Sequence, residues 1–351
     1  MKTFNLFLYA FLSLIILSGC EKNEIETIEN QELQKSKTIQ KLLEIGFSND
    51  EIIDNGKYFL VQDDVVYPYD WAKELNETSG KQRFNGIPIS PNNTVIGIYL
   101  AQETFHTLSL RRALEEVIWY HNRLNNRTKF YLSGLGPVVI SADNSIFPGF
   151  CAQASAPRIV NGEGVPGGFI NINEDYMVER DYTSNDELKL ILAHELGHIV
   201  GLNHTNQSFG QLIPGTPQSD PGSIMISNNC GVNWNGYTNF DKLALETIYT
   251  LPPPEIKRAG PGCSDKLCIW MVGKFFQHDK SIVEVKVPTG QIYRYNISDL
   301  VYNIDFQGQE VITLRLKTNN ERNQFGRLGY VDVRIINPDN GDQSSFKRVR
   351  R

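Results

Sequence analysis

Residues 194–204 read HELGHIVGLNH, and this stretch limits the fold more than any other in the chain. It gathers three of the six histidines of a 351-residue protein into eleven positions. In a helix, residues four apart lie on one face, one turn above the other. His194 and His198 can therefore present two imidazoles to one point. Glycine takes a left-handed conformation readily and ends helices with a sharp turn. Gly201, three residues past His198, can turn the chain back and bring His204 to the same point. Zinc takes bonds of about 2.0–2.1 Å to His nitrogen and favours four ligands, so the spacing predicts His194, His198 and His204 as ligands of one Zn(2+) ion. Glu195 is poorly placed to join both histidines on the ion. It can face the open side, where a water would complete the shell, and take that water's proton. At average residue usage a chance match to the five fixed positions has odds on the order of one in 10⁵, so coincidence is set aside.

The flanking sequence supplies the helix this reading needs. Ser184 or Asn185 can cap it, and Asp186 and Glu187 in the first turn suit the positive helix end. Upstream, TVIGIYL (94–100) reads as a strand, and Leu110, Ala113, Leu114, Val117, Ile118 and His121 follow helical spacing behind a cap at Ser109. FYLS, VVISAD and GVPGGFININ read as further strands, and residues 240–249 as a last helix. PPP at 252–254 cannot continue that helix and marks a linker. Beyond it, Val283, Val285 and Val287, then Ile312, Leu314 and Leu316, then Val331, Val333 and Ile335 alternate with polar residues. Short half-buried strands of this kind predict a β-sandwich. The glycine-, proline- and asparagine-rich stretch 78–93 marks an earlier boundary.

The first twenty residues carry Lys2 and then an almost wholly apolar run, Phe4 to Leu17, too short to span a membrane comfortably. This is an export signal, and its end, LSGC, resembles the bacterial lipobox, which implies lipidation of Cys20 and a tethered mature chain. The acidic start after Cys20 resembles surface-export signals of Bacteroidetes lipoproteins. A bacterial envelope location follows, at the outer membrane or cell surface. Export permits disulfides. Four cysteines remain, in three formal pairings; Cys263 and Cys268 lie close enough to bridge locally, which leaves Cys151 with Cys230. A net charge of −6 argues against nucleic acid as a partner. The basic end, Lys347, Arg348, Arg350 and Arg351, reads as a solvated tail.

The long motif HExxHxxGxxH resembles that of metzincin zinc endopeptidases, and most nearly that of the bacterial dual-action HEIGH metallopeptidases, the M57 family. KLLEIGFSNDEIIDNGKYFLVQDDVVY and LRRALEEVIWYHNRLN resemble that family's N-terminal region and opening helix, so the likeness spans roughly residues 40–252. The resemblance implies an α+β catalytic domain, a twisted sheet with an active-site helix and a closing C-terminal helix, followed here by the small all-β sandwich. It implies a Met-turn residue, Met225, packed beneath the histidines. The sequence departs from relatives at Asn206, where an Asp is frequent, and at Ser227, where some metzincins carry a tyrosine ligand. The corresponding division is 1–20 lipoprotein signal, 21–90 tether and pro-segment, 91–253 zinc peptidase and 254–351 accessory sandwich.

Metzincins take peptide as an added strand at a sheet edge, and Gly168, Phe169 and Ile170 are the expected edge. VQDD (61–64) resembles the aspartate switch of astacin propeptides, which implies Asp64, or Asp63, as a ligand in a latent form; a cut near Lys81 or Arg83 would release it. The function expected is hydrolysis of peptide bonds in polypeptides with Glu195 as general base. The alternative is a surface binding or adhesion lipoprotein with a non-catalytic zinc site. An enzyme acting on a non-protein amide comes third.

Overall fold

The computed structural model describes residues 30–62, 64–73, 84–146, 149–206, 212–217, 219–265, 267–278, 280–305, 308–339 and 341–351. Cys20 and the signal segment, Asp63, Lys81 and Arg83 lie outside the described residues. Among those described, no helix is long and apolar enough to cross a membrane.

The chain begins with helix α1 across residues 30–44, then strands β1 (Ile52–Asp54), β2 (Tyr58–Val61) and β3 (Val65–Pro68). Next come β4 (Val95–Leu100), α2 (Arg111–Asn122), β5 (Lys129–Leu132), β6 (Val138–Ala142), β7 (Ala152–Ser155), the hairpin β8 (Arg158–Val160) and β9 (Glu163–Val165), and β10 (Phe169–Ile172). Helices α3 (Glu174–Glu179), α4 (Asn185–Ile199) and α5 (Asn239–Ile248) follow. Eight of the strands form one sheet in the order β1-β2-β3-β7-β10-β6-β4-β5. β7 runs antiparallel to β10, and the strands from β10 to β5 are mutually parallel.

Helix α2 buries Ala113, Leu114, Val117 and His121, at helical spacing, against this sheet. Its cap is Leu110 rather than the expected Ser109, and no side chain caps it. Helix α4 is enclosed from Leu188 to Ile199, which fits its run of apolar residues with no polar face. Ser184 starts it with a full capping box to Glu187.

Residues 30–73 have a separate cluster. Tyr67 and Trp71 meet edge to face at 4.7 Å, and Leu42, Phe47 and Phe59 pack around them. The Trp71 indole donates to the Pro157 carbonyl at 2.8 Å, and β3 pairs in parallel with β7. The N-terminal strands thus extend the main sheet.

After Pro254, β11 (Glu255–Gly262), β12 (Cys268–Lys274), β13 (Ile282–Lys286), β14 (Ile292–Tyr295), β15 (Leu300–Ile304), β16 (Glu310–Arg315), β17 (Tyr330–Asn337), β18 (Asp342–Gln343) and β19 (Lys347–Arg350) make two antiparallel sheets. Their alternating apolar residues share one core. The module is not all-β: α6 (Asn319–Leu328), capped by Thr318 and ended by Gly329 at φ +74°, packs Phe325 into it. The basic end keeps Lys347, Arg348, Arg350 and Arg351 exposed, as expected of solvated charges, but it is not a loose tail. It forms β19, with Val349 buried, and Arg348 grips the Asp332 carboxylate with two bonds of 2.9 and 3.1 Å. Disulfides join Cys151 to Cys230 and Cys263 to Cys268.

Candidate metal centre

Helix α4 sets His194 and His198 one turn apart on its buried side. The turn that follows depends on Gly201, at φ +91°, where a Cβ would stand 2.7 Å from the Phe84 ring and 2.8 Å from the Asn85 amide oxygen. The Gly201 carbonyl accepts from the Asn85 N–H, and Leu202 pairs with Phe84. This packing directs the chain back, and His204 arrives beside the other two. The Nε2 atoms of His198 and His204 lie 3.0 and 3.1 Å from that of His194.

Asp64 completes the group. It stands at the tip of the β2–β3 hairpin, where Val61 pairs with Val65 and Gln62 adopts φ +55°. Its backbone carbonyl accepts from the Ala154 N–H of β7, and its carboxylate reaches His194, His198 and His204 at 3.2, 3.4 and 3.0 Å. One ligand atom from each of the four residues lies within 4.8 Å of the others, and the set could hold a metal ion.

The donor chemistry fits a cation. His194 Nδ1 is 2.7 Å from the Ile224 carbonyl and His198 Nδ1 is 2.8 Å from that of Leu202. A carbonyl only accepts, so Nδ1 of each ring carries a proton and Nε2 is the atom turned toward the centre. Burial lowers His198 to about 4, against the pull of the Asp64 charge. Burial alone would raise the Asp64 carboxyl; His204, His198 and His194 overcome it and hold it well below the usual carboxylate range. Three imidazole nitrogens and a carboxylate are crowded together, and the Asp64 Oδ1 has no hydrogen-bond partner. This set of inward-facing donor atoms could hold a metal ion.

Glu195 is 3% exposed, and its Oε2 has no hydrogen-bond partner. Burial, then the Asp64 charge, pushes it well above the usual carboxylate range. Met225 lies beneath the helix against Gly197, where a Cβ would come within 2.3 Å of the sulfur. Thr205 N–H donates to the Met225 carbonyl at 2.9 Å. Asn206 and Ser227, the two departures from the family pattern, bond to each other through the Asn206 amide at 2.8 and 3.0 Å.

Asp241 was not singled out from sequence. It closes the Thr238 capping box of α5, and the same buried carboxylate accepts from Ser223 Oγ and from the Ile224 N–H. It thereby fixes the turn whose Ile224 carbonyl orients His194. The Thr-x-x-Asp pattern signals only the cap; the second task depends on a tertiary contact.

One expectation is corrected. Gly168, Phe169 and Ile170 do not form a sheet edge: β10 is paired on both sides, with β6 and β7. The strand next to the histidine helix whose outer side meets the N-terminal segment is β7, and β3 covers it.

No family model matches the chain, and no curated protein matches it. Among solved structures, that of myroilysin aligns over 44% of this chain and 92% of its own length, at 19% identity and a TM-score of 0.27, a likeness too loose to argue from.

Proposed function

We propose that this chain is an exported zinc-dependent endopeptidase whose N-terminal segment covers its own metal centre. The observation that carries the reading is the convergence of His194, His198 and His204 on the carboxylate of Asp64, beside the buried Glu195, whose Oε2 has no hydrogen-bond partner. The resemblance to metzincins, and to the HEIGH peptidases in particular, supports it through the motif and Met225. Zinc held by the three histidines would lower the pKa of a bound water and polarise a carbonyl. Glu195 would take the proton as general base and pass it to the leaving amine. Asp64 holds the ligand position that the water needs. When residues 21–90, read as tether and pro-segment, withdraw, β3 leaves β7, and the freed β7 edge takes the substrate backbone as a new strand. Residues 91–253 act as the peptidase and 254–351 as the accessory module. The resemblance of LSGC to a lipobox supports a lipid at Cys20, and the acidic stretch after it supports a place at the outer membrane or cell surface, from which pro-segment cleavage would release the enzyme.

A second reading has a specific observation behind it. With Asp64 the site has four protein ligands, the number typical of closed structural zinc sites; the protein would then be a surface binding lipoprotein. Glu195 favours the first reading, because a structural site gives no use to a buried carboxylate whose Oε2 has no hydrogen-bond partner. Zinc content by equilibrium dialysis, with cleavage of an unfolded protein after limited proteolysis, tests the choice. Wild type and Glu195→Gln should both bind one zinc, and only wild type should cut. If both bind and neither cuts, the structural reading replaces the catalytic one.

A further inference from the structure

A cavity of about 270 Å³ lies between α2 and the C-terminal module, and none of its lining residues belongs to the histidine centre. Its walls include Phe130, Tyr131 and Leu132 of β5 and Tyr302, Asn303 and Ile304 of β15. Successive side chains of a strand point to opposite faces. A cavity that touches three in a row meets the strand edge-on. Both strands are indeed last in their sheets, β5 in the large one and β15 in β11-β12-β16-β15. The cavity is therefore the gap between two sheet edges.

The two edges differ. On β5, the Asn122 side-chain amide bonds both the N–H and the carbonyl of Phe130 at 2.8 Å, sealing that residue as a neighbouring strand would. Among the described residues, β15 has no such seal. Asp305 N–H donates to Gln309 at 3.0 Å, and the register pairs Ile304 with Glu310 and Tyr302 with Ile312. Hydrogen-bonded and non-hydrogen-bonded pairs alternate in an antiparallel ladder. The backbone groups of Tyr302 and Ile304 consequently face away from β16, into the gap. Exposed strand edges of this kind are templates for an incoming strand, and natural chains blunt one they do not use; here β5 is blunted and β15 is open. Trp119, half exposed on α2, stands in the same wall and offers an aromatic surface to a side chain of the visitor.

We propose that this cleft binds an extended polypeptide segment as an added strand on β15, anchoring a protein substrate away from the bond that is cut. The identity of the strand as substrate rests on the endopeptidase reading; the binding itself does not. The test accordingly uses no activity. The full-length chain carrying Glu195→Gln is titrated into fluorescently labelled, reduced and carboxymethylated lactalbumin. Ile304→Pro deletes one N–H that faces the gap and leaves pairing to β16 intact, since edge strands tolerate proline on their open side; Ile304→Val keeps that N–H. Ile304→Pro should weaken binding at least fivefold, with Ile304→Val within twofold of the parent. Hydrogen exchange on the unsubstituted chain should show new protection over residues 300–304 when the probe binds, which keeps the test open if the proline variant folds poorly. Absence of binding, or binding with no protection there, overturns the proposal. So does an effect of Trp119→Ala with none of Ile304→Pro, which would place the probe on the ring and not on the strand edge.

Discussion

Gly197 sits between two proposed ligands on a helix, where alanine ordinarily gains about 1 kcal/mol over glycine. Here the direction should reverse. An alanine Cβ would stand 2.3 Å from the Met225 sulfur and 3.2 Å from its Cε. Met225 is 1% exposed, and its backbone is tied at both ends, the N–H to Ser223 Oγ and the carbonyl to the Thr205 N–H. It has little room to withdraw, so overpacking costs roughly 1–3 kcal/mol, which cancels or exceeds the propensity gain. A net loss of about 0–2 kcal/mol is expected for Gly197→Ala. A double-mutant cycle isolates the contact. Met225→Ala alone should cost about 2–5 kcal/mol as a buried large-to-small change. In that background Gly197→Ala should become neutral or stabilising, giving a coupling of about 2 kcal/mol. Urea unfolding with EDTA present measures all four corners without metal. Additive single changes would refute the view that the glycine exists to seat the methionine.

Two further outcomes follow from buried groups elsewhere. The Cys151–Cys230 bridge closes a separation of 79 residues; its removal by paired Ser substitutions should lower unfolding stability by about 2–4 kcal/mol, with roughly 4.5 as the chain-entropy ceiling, while loss of the Cys263–Cys268 bridge should matter less. His121, enclosed between Tyr237 and Thr128 at 3.1 and 3.0 Å, is lowered from 6.5 to about 3, by burial first and the Lys129 charge second. The unfolded chain therefore binds more protons between these values, and stability present above pH 6.5 is lost as pH falls toward 3. At pH 5.5 the loss is about 1.4 kcal/mol, measurable as the part of the pH dependence of urea midpoints that disappears in His121→Asn.

The parts of the fold that could be read from sequence were those in which local chemistry and tertiary position agree. Ser184 and Glu187 announce α4, Gly201 announces the turn, and the period-two valines announce β13 and β17. Where one residue serves two levels, the sequence shows only the nearer one. Asp241 reads as a cap and also ties down the turn behind His194. Phe169 and Ile170 read correctly as strand, but which strand ends a sheet depends on pairing, and β3 and β7 pair across about 90 residues. Helix α6 was missed because it buries little beyond Phe325, although Thr318, Glu321 and Gly329 mark its ends. The charged end reads as solvated because the single buried Val349 is a weak signal among arginines.

The central claim is that Asp64 covers a centre able to cut peptide bonds. It is tested most directly by loading the full-length chain with zinc and measuring cleavage of an unfolded protein by wild type, Asp64→Ala and Asp64→Ala/Glu195→Gln. All three should bind one zinc, Asp64→Ala should cut at least tenfold faster than uncleaved wild type, and the double variant should be silent. A zinc-loaded Asp64→Ala chain that cuts no faster than wild type would contradict the account.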